Sequence, residues 1–336
     1  MKISELGEFG LIERIRRQLP PPHSGVVRGV GDDTAVLRSP QGGYLLATCD
    51  VQVAGRHFLL GKAAPDQIGR KALAVNLSDI AAMGGTPTYA LVSLGLPADL
   101  DVEFVDALYR GLNAEAARFG VSIVGGNLSS AEQLFVDVTL LGEVEPEHLL
   151  LRSNAKPDDV VMVTGDLGAA AVGLDLLQAE RAPNLLPAMR EAVLQAALTP
   201  TPRVKEGQII ARSGLASAMI DISDGLAADL GHICDESRVS VRVFAEPLPI
   251  ANSTVEAAVA VGRDPLDPAL HGGEDYELLV TAPRANAKAL IALVQSQTGT
   301  PLTIIGDIIP PNEARTFIRG NGRMIPLHAR GWNHFR

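Results

Sequence analysis

Aromatic residues are scarce in this sequence, at 4% of 336 residues, and Trp332 is the single tryptophan. A core must therefore be built from Ala, Val, Leu and Ile, which suits tight helix–sheet packing in an α/β protein. Cysteine is scarcer still. Cys49 and Cys234 form no CxxC pairing, which excludes a disulfide framework and a structural zinc site and points to the cytoplasm. Basic charge is also in short supply: 29 Lys and Arg against 39 Asp and Glu leave a net charge of −10. With no basic stripe, nucleic acid is excluded as the main partner. No apolar run is long enough to span a bilayer, and residues 1–19 mix Glu and Arg in place of a signal peptide's apolar stretch. There is no GxxxxGK[ST] loop, and Gly29-Val30-Gly31 lacks the third glycine of a dinucleotide fingerprint.

Acid set among small residues is what the chain has instead. Five motifs carry it: Gly31-Asp32-Asp33, Thr48-Cys49-Asp50, Leu77-Ser78-Asp79, Asp221-Ile222-Ser223-Asp224-Gly225 and Gly272-Gly273-Glu274-Asp275. Carboxylates beside turn-forming residues offer hard oxygen ligands to Mg²⁺. One such motif is ordinarily a solvated turn or a helix cap. Five together point to several metal ions, and several magnesium ions point to a polyphosphate whose charge must be neutralised. Asp79 follows a run of small apolar residues on a helix and shares a face with Ala72, Val75 and Asn76. A carboxylate there needs a metal, a hydrogen bond or a salt bridge, and few basic residues lie near in sequence. Asp224 has the alternative of capping a helix, which Asp221 lacks. His57 follows a Gly55 turn in the same segment as Asp50, so a structural and a site role are balanced.

Hydrophobic periodicity alternates between two and about 3.6, the mark of a mixed α/β chain. Strands are expected at Tyr44–Val53, Thr88–Leu96, Val121–Val124, Leu134–Val144, Val160–Thr164, Val239–Ala245, Tyr276–Thr281 and Leu302–Ile309, and another ends in the Asp221 motif. A helix opens at Pro65 and stops before Gly84-Gly85, and Asp101 caps the next. Further helices are expected near 168–180, 187–198, 203–213, 226–236 and 285–297. Asn321-Gly322 reads as a two-residue hairpin turn. The polar, turn-rich stretch Pro146–Pro157 sets a boundary between domains at 1–148 and 149–336.

Taken in order, these residues resemble the thiamine-monophosphate kinases, of the superfamily of aminoimidazole ribonucleotide synthetase and selenophosphate synthetase. The resemblance covers essentially the whole chain. It runs from Gly7-Glu8-Phe9 through Gly31-Asp32-Asp33, Asp50 with His57 and Phe58, and the segment Lys71–Met83. It continues through Arg152 with Lys156-Pro157, Asp221–Gly225 and Gly272–Glu277 to Gly331-Trp332. It implies two α/β domains, the N-terminal one pairing with its twin so that strands of both subunits form a barrel in a homodimer. It implies ATP as co-substrate with several Mg²⁺ ions, and phosphorylation of thiamine monophosphate to thiamine diphosphate. Asp33, Asp50, Asp79 and Asp221 are implied to hold magnesium with help from Thr48 or Cys49, and Asp224 a further ion. Arg152 and Ser223 would meet ATP phosphates, with Arg152 stabilising charge. Gly126 would meet the nucleotide through its backbone, and Tyr109 the adenine. His57, Glu274 and Trp332 would hold thiamine monophosphate, the indole against the cationic ring.

The chemistry agrees. The nucleophile is an oxygen of a phosphate monoester with a second pKa near ~6, so it needs no general base, and no Ser/His/Asp or Cys/His pair is expected. Charge neutralisation and positioning are what remain. Two positions depart from the family pattern. Asn127 stands after Gly125-Gly126 where a metal-binding Asp is expected, and it remains a candidate metal and nucleotide contact. Cys49 stands where Ser or Thr precedes Asp50, and a thiol is a poor choice for Mg²⁺. A sibling enzyme of the superfamily, or a weakened homologue that only binds nucleotide, is the alternative.

Overall fold

The computed structural model describes residues 2–40, 42–179 and 183–328. Trp332, expected to hold the acceptor, lies outside them. The first half opens with α1 (Ile3–Leu6) and α2 (Glu8–Arg16). Strands β1 (Val26–Arg28), β2 (Ala35–Arg38), β3 (Tyr44–Val53), β4 (Thr86–Leu96), β5 (Ser122–Ser130) and β6 (Phe135–Val144) follow, in the sheet order β1-β2-β3-β6-β4-β5. Pairing is antiparallel except between β4 and β5. Helices α3 (Pro65–Ala82) and α4 (Val102–Phe119) cover one face. The second half builds a sheet from β7 (Asp159–Thr164), β8 (Ala218–Asp221), β9 (Ser240–Phe244), β10 (Leu278–Pro283), β11 (Leu302–Ile309), β12 (Thr316–Ile318) and β13 (Met324–Pro326), in the order β13-β12-β9-β11-β7-β10-β8. Its helices are α5 (Ala169–Gln178), α6 (Pro187–Leu198), α7 (Val204–Ser213), α8 (Leu226–Ser237), α9 (Asn252–Ala260), α10 (Leu266–His271) and α11 (Arg284–Thr298).

Helix α3 lies at the seam. Pro65 starts it where a missing N–H costs nothing, and Gly84, in left-handed geometry at φ 72°, follows its end. It packs on α4, on β3 and β6, and on α7 and β8 of the second half. Most of its residues are buried, including the polar Lys71, Asn76 and Ser78. Two glycines allow the close crossing with α4. A Cβ on Gly69 would meet the Leu108 carbonyl oxygen at 2.1 Å, and one on Gly111 the Asp66 carbonyl oxygen at 1.9 Å. The apolar core runs without a break from Leu73, Leu77 and Ile80 to Met219, Leu278 and Val280.

Among the described residues, the first sheet is covered on one face only. Along β3, Leu46, Thr48 and Gln52 are buried while Cys49 and Val51 are exposed, the alternation of a strand with one inner face. Asp101 precedes α4 but its side chain makes no capping hydrogen bond, which corrects that expectation. The strand expected at Val121–Val124 is corrected too: pairing with β4 carries it through Gly125, Gly126 and Asn127 to Ser130.

Candidate active site

Four segments deliver acid to one place. The turn between β1 and β2 brings Asp32 and Asp33, β3 brings Thr48 and Asp50, the last turn of α3 brings Ser78 and Asp79, and β8 ends in Asp221. One carboxylate oxygen each of Asp33, Asp79 and Asp221 lie within 4.8 Å of one another. Hydroxyls support two of them. Ser78 donates to Asp221 Oδ2 at 2.6 Å, and Thr48 donates to Asp79 Oδ2. Asn76 holds the strand beside them by accepting the Asp50 backbone N–H at 3.1 Å. Arg152 closes the group with Nη2 at 2.5 Å from Asp33 Oδ1 and Nε at 3.8 Å from Asp32 Oδ1. Arg28 adds a second cation 3.2 Å from Asp32.

So many buried acids cannot all carry charge without cations. Burial, and then Asp33, push the Asp221 carboxyl up to about 8 against the pull of Ser78 and Arg152. Burial and the charges of Asp50 and Asp221 hold Asp79 well above the usual carboxylate range. Asp32 is pushed up to about 6 by burial and by Asp33. Arg152 goes the other way: burial works against its charge, yet Asp33 and Asp32 outweigh that and fix it as a cation. The other oxygen of Asp33, Oδ2, is buried with no hydrogen-bond partner. That atom and its neighbours fit a hard divalent cation bound through carboxylates.

A second group lies beside the first. Ligand atoms of Asp224, Asp229 and His232 fall within 4.8 Å of one another. Asp229 Oδ2 also accepts the backbone N–H groups of Asp224 and Gly225, at 3.1 and 3.0 Å, so Asp229 is what fixes the turn into α8. Burial, then Arg152, lower the His232 pKa and favour the neutral imidazole that a metal requires. Sequence reasoning missed Asp229 and His232. Their signal was the three-residue spacing that puts both on one face of α8.

The remaining candidates are spread around this centre. Glu274 sits at φ 67°, its backbone N–H donating to the Ser223 carbonyl at 2.7 Å. Its carboxylate meets Lys71 Nζ at 2.8 Å, and Lys71 also donates to the His57 carbonyl at 3.2 Å. His57 and Glu274 thus line one pocket. Tyr109 is half-buried on α4 against the core. Gly126 has φ 154°, and a Cβ there would meet the Val92 carbonyl oxygen at 1.8 Å. Asn127 pairs with Ser93, which pairs with Asp137, on the uncovered face of the sheet. Cys49 faces the same way, its S–H donating to Asp137 Oδ1 at 3.2 Å and its sulfur accepting from Thr139. Neither side chain joins the group around Asp79. The turn Thr164–Gly168 that opens α5 is held within the fold: Gly168 N–H donates to the Asp275 carboxylate at 2.8 Å.

Comparison with known proteins defines the class first. Residues 31–144 match the AIR synthase related protein N-terminal domain, and residues 156–318 match its C-terminal domain. Thiamine-monophosphate kinase of Bacillus subtilis (strain 168) is 35% identical over 98% of this chain and 100% of its own. That of Salmonella typhimurium is 38% identical over 98% of each. A solved structure described as AaThiL complexed with AMPPCP and TMP superposes with a TM-score of 0.85 at 35% identity, covering 99% of both chains. The chain belongs to the thiamine-monophosphate kinase family.

Proposed function

We propose that this protein transfers the γ-phosphoryl group of ATP to thiamine monophosphate, yielding thiamine diphosphate and ADP. The observation that carries the reading is the convergence of Asp33, Asp79 and Asp221 within 4.8 Å, in a chain whose full-length relatives are thiamine-monophosphate kinases. Asp33, Asp50, Asp79 and Asp221, with Thr48 and the Cys49 carbonyl, would hold Mg²⁺, and Asp224 with Asp229 and His232 a further ion. Bound Mg²⁺ supplies neutralisation of the polyphosphate charge.

The chain's own residues do the rest. Arg152 keeps its charge and stands at the edge of the acid group, where it meets ATP phosphates and steadies charge as the bond to the leaving group breaks. Ser223 adds a contact to the phosphates. Gly126 lets the nucleotide approach bare backbone, and Tyr109 is assigned to the adenine. Asn127 is retained as a weaker, uncharged contact. His57, Glu274 and Trp332 hold the acceptor, whose phosphate oxygen attacks without a protein base because it is already anionic.

The domain division at 148/149 is part of this reading, supported by the two family models falling on either side. So is a homodimer through the uncovered face of the first sheet, where Val51, Tyr89 and Leu91 are exposed. Among the described residues no helix is long and apolar enough to cross a membrane. Cys49 and Cys234 are free thiols, and we assign the protein to the cytoplasm. The test is to incubate EDTA-treated protein with ATP and thiamine monophosphate, follow ADP by a coupled assay and identify the product by phosphorus NMR. Thiamine diphosphate should form only when Mg²⁺ is restored. Full activity without metal, or ADP release indifferent to the acceptor, would overturn the proposal.

A further inference from the structure

We propose that Lys71 is a positioning residue for the acceptor end of the site, acting by aiming the Glu274 carboxylate. The inference rests on the reading of His57 and Glu274 as acceptor contacts. Lys71 is 5% exposed, on α3, and a buried ammonium is costly unless its donors are met. Glu274 Oε2 at 2.8 Å and the His57 carbonyl at 3.2 Å meet two of the three. These partners come from opposite halves of the chain, so one ammonium ties the loop after β3 to the loop before β10.

Glu274 is held at both ends. Its backbone has φ 67°, a strained geometry for a residue with a Cβ, and its N–H is fixed on Ser223 at 2.7 Å. Lys71 fixes the far end by taking Oε2, which leaves Oε1 to accept from a ligand. His57 is prepared in the same way. Val53 N–H donates to His57 Nδ1 at 3.0 Å, so the proton of the neutral ring sits on Nε2. A carboxylate acceptor is then presented beside the His57 ring at an apolar wall that includes Phe58, Ile68, Leu174 and Leu198. That arrangement suits an amino-substituted heterocycle, which donates from its amino group to the carboxylate and lays its ring on the apolar wall. Without Lys71 the acceptor loses its direction.

Kinetics of K71M, K71R, E274Q and the double variant K71M/E274Q test this. K71M should raise KM for thiamine monophosphate about tenfold or more, the scale of a lost charged hydrogen bond, with KM for ATP changed by less than about twofold. K71R keeps charge and donors and should stay within about threefold of the parent. The double variant should be no worse than E274Q alone, because Lys71 acts through Glu274. Additive losses, or equal rises in both KM values, would overturn the proposal. If K71M does not fold, K71Q is judged by the same criteria. An E274Q variant with unchanged acceptor KM would instead refute the acceptor-end reading itself. An E274Q variant that binds acceptor poorly beside a normal K71M would refute only the role of Lys71.

Discussion

A carboxylate at the end of a helix of small apolar residues has few ways to exist, and Asp79 combines two of them. It accepts a hydrogen bond from Thr48, and it sits among acids that call for a cation. Asp79→Asn keeps the shape and removes the charge, so kcat should fall by about two orders of magnitude or more while the folded structure survives. Steady-state rates beside circular dichroism decide it, and retained activity with lower Tm would make Asp79 a structural acid. The raised pKa of Asp221 has a consequence for stability. Unfolded, this carboxyl titrates near 3.8; folded without metal it keeps its proton to about pH 8. The folded state binds the extra proton, so stability is full below pH 4 for this group and is lost as pH rises toward 8. Asp79, Asp229 and Asp275 shift in the same direction. Melting curves of EDTA-treated protein should therefore show Tm falling across that window, with a shallower fall in Asp221→Asn. Asn127→Asp should lower the Mg²⁺ concentration for half-maximal rate if position 127 faces an ion, since affinity in oxygen sites follows ligand charge; an unchanged titration would leave Asn127 as a strand residue of the uncovered face. Asp79 and Asp221 were legible because acid amid apolar residues demands an explanation. Asp229 and His232 were not, since both look like ordinary polar positions on an amphipathic helix until the turn at Asp224 folds back onto them.

Elements with local signals were legible, and elements defined by partners were not. Pro65 and Gly84-Gly85 bracket α3, and the strand Leu302–Ile309 is bounded as its pattern suggests. Asn321-Gly322 does lie in the turn from β12 to β13, but the register, with Ile318 opposite Met324, leaves more than the expected two residues in the loop. The short strands β1 and β2, and helices α9 and α10, have too few residues to display a period and were not anticipated. The crossing of α3 and α4 was equally hidden, because Gly69 and Gly111 lie forty-odd positions apart and either alone reads as a weak point in a helix. Together they let backbone touch backbone. Gly111→Ala would drive a methyl group into the Asp66 carbonyl, at a cost of about 1–3 kcal/mol from overpacking. Its Tm should drop, and because α3 carries Asp79 its KM for metal should rise as well. An equally stable, equally active variant would show that the two helices can part at no cost.

At the scale of the molecule, one face of the first sheet is left uncovered by the described residues. Tyr89 is 51% and Leu91 43% exposed on β4, and Val51 on β3 extends the same apolar surface. Leu91→Glu should convert a dimer to a monomer by light scattering at matched concentration, without lowering the Tm of the isolated chain by more than a surface change does. A parent protein that is already monomeric would remove the dimer from the reading. Composition announced an α/β molecule, whereas the continuous core between its halves was not legible, since it depends on α3 being shared by both sheets. That sharing also sets a length standard. Lys71 and Asp79 are eight positions apart on one rigid rod, about 12 Å along its axis. The gap between where an acceptor's ring is read and where its phosphate reacts is thus inscribed in helical pitch, and loop drift cannot retune it. Adding one residue between them would turn Asp79 roughly 100° away from the acids. Acceptors of another length are closed to this scaffold by small steps, and a lineage seeking them would have to rebuild one end of the site.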